Sequence, residues 1–507
     1  MTLPLSPLVG LSDDPRIRRI EVLSRKLATA NVAYDKWDRY YSGDQPMAFL
    51  APEVKAQVGE RLTPLVINWP ETITDSVNRR VRPLGFLLGD ASTPDEELTR
   101  IFAANGMFDD AALGQVDALV HGLGFIGVWG NEEDPETPLM VFDSAHQVAV
   151  DYVPGSGDRV LRDAVKRWQD EDTVRANFYT PDAVFKYRST AQAWGAAAPS
   201  YELIEVLDNP LGAVPFAPMV NKGRLLNRGG RSELASIAPI ADNINELADG
   251  LMVTARFYLA PRRYMTGVDI PTDPAERARF REEMRQYQEE AAASKVWMGG
   301  PNVSYGQFPE ADLAGFVAAI NLLTASLAAI GGLPPDDLGL NTTNPASAEA
   351  RRAAETTLIL RAEEKQSAFG RAYTRAMRMA IAARDGIPLA AVPSEFSRMA
   401  VDWKDPATPA IAQSMDAAVK GKEVGIYDVE AAQQRVGMGP AERLAMKARA
   451  EEAADLSTTQ DVRARMAAAR ELVASDGLTL NAAMAAVGLL QAAATNSAES
   501  ASPAPAA

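Results

Sequence analysis

The sequence predicts an α+β protein that is predominantly α-helical. Long helical patterns cover residues 16–41, 231–258 and 345–385, where apolar side chains recur every three or four positions. Residues 139–220 instead alternate apolar and polar side chains, as β-strands do. The 507 residues are 47% hydrophobic, which is enough for a large core, and contain no cysteine, so disulfides do not hold the fold together.

The N-terminal part is predicted to be a helical layer followed by β-structure. After the helix over 16–41, further helices are expected over 70–82 and 109–121, and "FIGVWG", 125–130, is typical of a buried strand. The stretch "NPLGAVPFAPMVN", 209–221, has too many prolines for a central strand, so we expect an edge strand or an extended crossing segment.

The C-terminal part is predicted to be mostly helical. Its expected segments are a helix over 231–258, an insert over 259–309 with a short helix at 274–293, helices over 310–330 and 345–385, an Ala-rich helical part over 408–495 and a disordered tail over 496–507. In the long helix, an i+4 ladder is expected to pack on the core, made of Phe369, Tyr373, Met377 and Ile381.

Residues 313–335 contain no charged side chain and are long enough to cross a membrane. Polar residues such as Asn321 and Thr324 interrupt the stretch, and acidic residues rather than basic ones flank it. We therefore expect a helix that is buried on all sides in protein.

The net charge of −16 restricts the nature of any nucleic-acid contact. A protein that holds DNA tightly presents a basic face to the phosphates, whereas this chain as a whole repels them. The charge argues against tight DNA binding and is compatible with DNA that only passes by.

The motif "GLGFIG", 122–127, matches the glycine pattern of a dinucleotide-binding loop, but the predicted elements on either side are in the wrong order. That loop requires a strand before it and a helix after it, so that the pyrophosphate meets a helix N-terminus. Here the predicted helix comes first. We expect the glycines to permit close packing where the helix turns into the strand.

No set of catalytic or metal-binding residues is evident. The two histidines of the chain are His121 and His146; Ser144 would share a strand face with His146, but no third partner for a triad is apparent. The acid pairs at 109–110 and 336–337 lack the spacing of a calcium loop. We expect structural histidines, solvated acids, no cofactor, no metal and no enzymatic activity.

Three acids lie on one side of the predicted helix 231–258. Asp242, Glu246 and Asp249 follow the i, i+4, i+7 spacing of one helix face. An apolar stripe is predicted on the other side, made of Ile237, Ile240, Ile244, Leu247 and Leu251. Two interpretations are open: a solvated face, or a face turned towards something negatively charged that must not adhere.

Seven stretches in a fixed order resemble the portal proteins of tailed bacteriophages, in the siphophage-type family. They are "WDRYYSGDQP" (37–46), "NWPETITDSVNRRVRPLGF" (68–86), "ALVHGLGFIGVW" (118–129), "NPLGAVPFAPMVN" (209–221), "GRSELASIAPIADNINELADGLM" (230–252), "NPASAEARRAAE" (344–355) and "VDWKDPATPAIAQSMDAAVK" (401–420). The resemblance covers about 16–450.

The resemblance implies a portal-type subunit that forms a ring, typically of twelve copies, at one capsid vertex. The implied parts are a wing over 1–230, a first stem helix over 231–258, a clip over 259–309, a second stem helix over 310–332, a channel loop over 333–344, a long bent helix with a return to the wing over 345–407, a helical crown over 408–495 and the tail over 496–507. In such a ring, neighbouring subunits would bury the uncharged helix.

The resemblance also implies where contacts fall. The channel would be lined by Asp242, Glu246 and Asp249 and by the loop residues Asn341, Thr342, Thr343 and Asn344. The clip contains seven basic and seven acidic residues, so it carries no net charge. Its candidate docking residues are Arg262 and Arg263. An equal alternative is that these two arginines pair with acids of a neighbouring clip.

The implied partners are the other ring subunits, the major capsid protein, the terminase large subunit, head–tail adaptors and double-stranded DNA that passes without sequence specificity. The implied location is the virion, with assembly in the host cytoplasm and no membrane. The alternative is another helical scaffold or a membrane-associated assembly protein.

Overall fold

A computed structural model describes most of the chain. It covers residues 14–45, 65–91, 93–157, 160–170, 173–189, 201–225, 227–259, 263–267, 271–294, 304–307, 313–340, 348–407 and 411–425, and parts of 429–484. The chain divides into two compact units, residues 1–89 with 96–407, and residues 90–95 with 408–507.

Helices and strands both contribute to the first unit, as predicted. Its α-helices are α1 (Pro15–Ser42), α2 (Trp69–Asn78), α3 (Glu96–Ala104), α4 (Met107–His121), α5 (Ala238–Leu259), α6 (Pro274–Ser294), α7 (Ala314–Gly331) and α8 (Ala348–Arg384). Its strands are β1 (Pro83–Leu87), β2 (Leu123–Trp129), β3 (Leu139–Ser144), β4 (Val148–Tyr152), β5 (Leu161–Asp170), β6 (Thr173–Tyr179), β7 (Ala183–Ser189), β8 (Tyr201–Asp208), β9 (Phe216–Val220), β10 (Arg263–Thr266), β11 (Ser304–Gln307) and β12 (Ala400–Trp403).

The strands pair in antiparallel sheets. Strands β4 to β8 form a five-stranded sheet in sequence order, and a second sheet has the order β3-β2-β9. The prolines of 209–221 thus precede or occupy an edge strand, as predicted, because an edge strand needs fewer backbone donors. Strands β1 and β12 pair with each other.

Helix α8 is the central element of the largest core. Its 37 residues extend over about 56 Å at 1.5 Å per residue. The predicted ladder is confirmed, since Phe369, Tyr373, Met377 and Ile381 are all fully buried. They pack with side chains of α4, β2 and β9, including Leu119.

Helix α1 begins and ends with well-defined caps and covers the five-stranded sheet. The Asp14 side chain accepts a hydrogen bond from the Arg16 backbone N–H, and Gly43 ends the helix in the left-handed conformation. Its buried residues Ile20 and Leu23 join a cluster with Val165 of the sheet. Burying a Leu or Ile side chain contributes about 1.5–3 kcal/mol.

The turn between α4 and β2 explains the glycine motif. The helix precedes the strand, as predicted, which is the reverse of the order in a dinucleotide-binding loop. Gly122 has φ 90°, and a Cβ there would lie 2.7 Å from the Arg231 backbone. The packing is closer still at Gly230, where a Cβ would lie 1.9 Å from the Gly122 carbonyl oxygen. The predicted close approach is therefore real.

The two helices predicted as a stem differ in detail from the prediction. Residues 233–236 form a 3-10 turn, so α5 begins at Ala238 rather than at 231. Helix α7 begins at Ala314 instead of 310. Between them, β10 and β11 form an antiparallel hairpin and enclose α6, close to the short helix expected at 274–293.

Within the described residues of the second unit, two helices agree with its predicted helical character. They are α9 (Ile411–Glu423) and α10 (Pro440–Asp476). The tail over 496–507, for which we predicted disorder, lies outside the described residues.

Candidate functional site

Two of the three acids on α5 contact groups of their own subunit. The Asp242 Oδ2 accepts a 2.7 Å hydrogen bond from the Tyr40 hydroxyl of α1. Burial and then this carboxylate raise the pKa of Tyr40 above its ordinary value. The Asp249 Oδ1 accepts from the Leu65 backbone N–H at 3.1 Å, and Asp249 is only 8% exposed. These two acids do not form the solvated face that the spacing suggested.

The reason lies in the segment that precedes α2. Residues 65–68 run beside α5 without regular structure, so their backbone N–H groups require side-chain acceptors. Asn245 accepts from the Ile67 N–H at 2.9 Å, one turn from Asp249. Glu246, which points elsewhere, is exposed. Of the three acids, Glu246 alone is exposed to solvent in the subunit.

Helix α7 carries no charged side chain, but the subunit buries only one of its sides. Thr324, Leu327 and Ala328 are buried against the first unit. Leu322 is 69% exposed, and Val317 and Ile330 are about half exposed. Within one subunit α7 is therefore not buried on all sides, and the expected burial depends on neighbouring copies.

By length and composition, the 18 residues of α7 could also cross a membrane, with a mean hydropathy of 1.8. A single helix of this kind is weak evidence for a membrane, because core helices of soluble proteins pass the same test of length and composition.

A buried ion cluster fixes the start of α5 to α8. Glu233, in the 3-10 turn, lies 2.7 Å from the Lys365 Nζ through Oε1. Its Oε2 accepts from Arg361 at 2.7 Å and from Lys222 at 2.5 Å. Burial alone would raise the pKa of Glu233, but Lys365, Lys222 and Arg361 lower it to about 2. No local spacing in the sequence predicts this cluster, because residues 222, 233 and 361–365 lie far apart along the chain.

The predicted loop and clip residues are only partly described. Asn341, Thr342, Thr343 and Asn344 lie outside the described residues, and so does Arg262. The loop over 333–344 begins with a 3-10 turn over Pro335–Leu338 that is held by buried Leu338. Arg263 is the first residue of β10 and pairs with Gln307 of β11.

The two histidines meet at one carboxylate. The Asp38 Oδ1 lies 2.7 Å from the His121 Nε2, and its Oδ2 lies 2.7 Å from the His146 Nε2. The third partner that the sequence did not reveal is thus Asp38 of α1, which lies 83 and 108 residues away along the chain. Ser144 does not act with His146 as a triad would, because its Oγ donates to the Asp117 Oδ1 at 3.1 Å.

Comparison with known proteins identifies the family. The family model "Phage portal protein, SPP1 Gp6-like" matches residues 29–455, most of the chain. The chain belongs to the phage portal protein family. The resemblance carried by the seven stretches is therefore confirmed.

Two curated portal proteins are similar over most of their length. The portal protein of Mycobacterium phage D29 is 31% identical over 464 residues, which are 87% of this chain and 90% of that protein. The portal protein of Mycobacterium phage L5 is 30% identical over 458 residues, with the same coverage.

Among solved structures, one similar chain comes from the neck of an empty gene transfer agent particle. It is 13% identical, the match covers 80% of this chain and 93% of that one, and the TM-score is 0.46, too low to bear on the fold. The portal family assignment rests on sequence, and the mixed, mainly helical fold agrees with it.

Proposed function

We propose that this portal-family chain forms a closed ring at one capsid vertex, through which double-stranded DNA enters during packaging and leaves during ejection. The observation that carries the ring is the exposed side of α7. Exposed leucine, valine and isoleucine side chains on a helix without charges favour a partner surface, and in a cyclic ring each copy can cover the same side of the next.

The test is a single charge on that side of α7. Leu322→Lys places an ammonium where the neighbour would bury the leucine, so we expect subunits or fragments of rings in native mass spectrometry and negative-stain images. The matched control is Leu225→Lys, a leucine that is 89% exposed in a turn of the first unit and far from α7 in sequence. Rings with a central hole in the Leu322→Lys protein would contradict the proposed interface, and a monomeric wild-type chain would contradict the ring.

Within the ring, Glu246 is the residue of α5 that we propose faces the channel. It is exposed, whereas Asp242 and Asp249 are hydrogen-bonded inside the subunit. We also propose that the loop over 333–344, with Asn341 to Asn344, borders the channel; this rests on the family resemblance and on its short polar side chains. Twelve subunits remain the number that the resemblance implies.

The clip is proposed as the docking platform. Its 259–309 segment is electrically neutral in a chain of −16, and such a charge-rich but balanced surface suits partners selected by complementary patches. The proposed partners are the terminase large subunit during packaging and head–tail adaptors later, with the major capsid protein around the ring. Assembly would take place in the host cytoplasm, and the ATP-hydrolysing step would belong to the terminase.

The alternative, a membrane-associated assembly protein, is favoured only by the length and composition of α7. Flotation of the purified chain with liposomes separates the two: a ring that stays at the bottom of the gradient supports the portal role, and a chain that floats supports the alternative.

A further inference from the structure

The cluster of Asp38, His121 and His146 has the composition of a transition-metal site. The ligand atoms of these three residues all lie within 4.8 Å of one another. Imidazole nitrogen and carboxylate oxygen are common ligands of Zn²⁺, whereas Mg²⁺ and Ca²⁺ prefer oxygen alone. Both histidines of the chain take part, and each reaches the shared carboxylate through its Nε2.

A carboxylate also lies near the second ring nitrogen of each histidine. In such sites the second ring nitrogen of each histidine faces a carboxylate or carbonyl that orients the ring. The His121 Nδ1 lies 3.2 Å from the Asp117 Oδ1, and the His146 Nδ1 lies 3.9 Å from the Asp35 Oδ1. Asp117 is itself fixed, because it accepts from the Ser144 hydroxyl and from the Ala145 N–H.

Charge and access also suit a divalent cation. Three carboxylates, from Asp35, Asp38 and Asp117, face two imidazoles, so the group remains negative even when both rings are protonated. The His121 side chain is 3% exposed, while the Asp38 side chain is 45% exposed and gives an entry path from solvent. Water can occupy the remaining coordination position on that side.

We propose that Asp38, His121 and His146 bind one Zn²⁺ ion, or a similar first-row divalent ion, in each subunit. Each Nε2 would release to solvent the proton that it now donates to Asp38, while the other ring nitrogen, Nδ1, keeps its own proton. The metal would then accept a lone pair from each Nε2 and from Asp38. Tetrahedral coordination at about 2.0–2.1 Å separates ligand atoms by about 3.3 Å. The two 2.7 Å contacts would therefore lengthen and the two Nε2 atoms would share the metal, changes that side-chain rotations can supply.

The site would connect three separate elements. Asp38 belongs to α1, His121 ends α4, and His146 lies in the turn between β3 and β4. A metal here would fasten the N-terminal helix to both the helical layer and the β-structure, in a chain that has no disulfide to do so. Its role is structural: binding to the folded state alone stabilises that state by mass action.

The experiment is metal titration of the untagged full-length chain with Co²⁺ and Zn²⁺. We expect one Co²⁺ per subunit, with the visible absorption of four-coordinate Co²⁺ and no thiolate charge-transfer band, displacement by Zn²⁺, and a higher thermal unfolding midpoint with Zn²⁺. His146→Gln and Asp38→Asn should each lower the affinity by more than the roughly 10- to 100-fold that loss of an outer partner costs. The matched control is Asp44→Asn, an exposed acid just past the C-terminal end of the same helix, which should bind as the wild type does.

Circular dichroism of the metal-free variants shows whether a variant that does not bind metal is still folded. His146 is the safer position for this check, because its side chain is partly exposed. A wild-type chain that binds no Co²⁺, or equal binding by His146→Gln and Asp38→Asn, would overturn the site. Binding without a rise in the unfolding midpoint would overturn the fastening role.

Discussion

Glu233 shows how much a single buried side chain contributes to holding helices together. Its side chain is 1% exposed and pairs with three cations, one of which, Lys365, is equally buried. Removing one member of a buried charged group leaves the others without compensation, which costs about 3–5 kcal/mol. We therefore expect Glu233→Gln to lower the midpoint of urea unfolding markedly. Glu202→Gln, which breaks only the exposed pair with Arg188, should change stability by no more than about 1 kcal/mol.

The same carboxyl predicts a pH dependence with a definite sign. Its pKa is about 2 in the folded chain and about 4.5 when unfolded. A lowered pKa stabilises the fold fully above the unfolded value, and this stabilisation is lost as the pH falls from 4.5 towards 2. Other carboxyls titrate there too, so the measurement is the difference between wild type and Glu233→Gln. A difference that does not shrink as the pH falls over this range would contradict the assigned role.

Residue contacts were the part of the structure that sequence could predict least. The spacing of Asp242, Glu246 and Asp249 correctly places them on one helix, but their partners Tyr40 and Leu65 lie far away along the chain. The histidine cluster is similar, because only folding brings α1 to both rings. Local spacing carries no information on such contacts.

Elements, in contrast, followed from local pattern. The helices over 16–41 and 345–385 were predicted to within about three residues, because a 3.6-residue period over many turns is a strong signal. The 3-10 turn ahead of α5 was not predicted; Ser232 caps it by accepting from the Leu234 N–H, and a single turn has no period to detect.

The turn between α4 and β2 packs closely against the backbone of residues 230–231, and this contact can be tested by substitution. Gly230 has φ 84° and its backbone touches the Gly122 carbonyl, while the Asn221 N–H donates to that same carbonyl at 2.9 Å. Gly230→Ala should therefore destabilise the subunit by more than about 1 kcal/mol, measured by thermal or urea unfolding. The neighbouring Gly229→Ala is the control, because its Cβ would meet nothing closer than 3.7 Å. Equal stability of the two variants would show that this contact tolerates a side chain.

The clip offers a second prediction for an element. If β10 and its preceding residue dock partners, Arg262→Glu with Arg263→Glu should weaken terminase or adaptor binding in a pull-down assay while rings persist. The matched control is Arg279→Glu with Arg281→Glu on exposed positions of α6, which makes the same change in clip charge. Loss of the rings themselves would instead favour pairing between neighbouring clips, and unchanged binding would exclude both arginines as contacts.

At the scale of the whole molecule, the ring multiplies each exposed charge by the number of subunits. A net charge of −16 per chain already disfavours contact with DNA phosphates. A DNA channel benefits from this repulsion, because DNA whose phosphate groups bind the channel wall only weakly can slide through it. On the proposal that Glu246 faces the channel, this one exposed side chain of α5 affects how strongly the ring repels DNA, whereas changing Asp242 or Asp249 would also break their hydrogen bonds.

Glu246→Lys is the variant that tests this. It should leave the subunit stable and the rings intact, because the side chain is exposed, but it places a circle of ammonium groups in the proposed channel. Each phosphate contact releases counterions, so DNA retention by purified rings or during packaging should rise at low salt and fall steeply as salt is added. Glu246→Gln removes the carboxylate without adding a cation, so it should lack this steep salt dependence and separates lost repulsion from gained attraction. If Glu246→Lys rings hold no more DNA than wild-type rings at low salt, Glu246 does not face the channel, and the inner surface of the stem belongs to another side of α5.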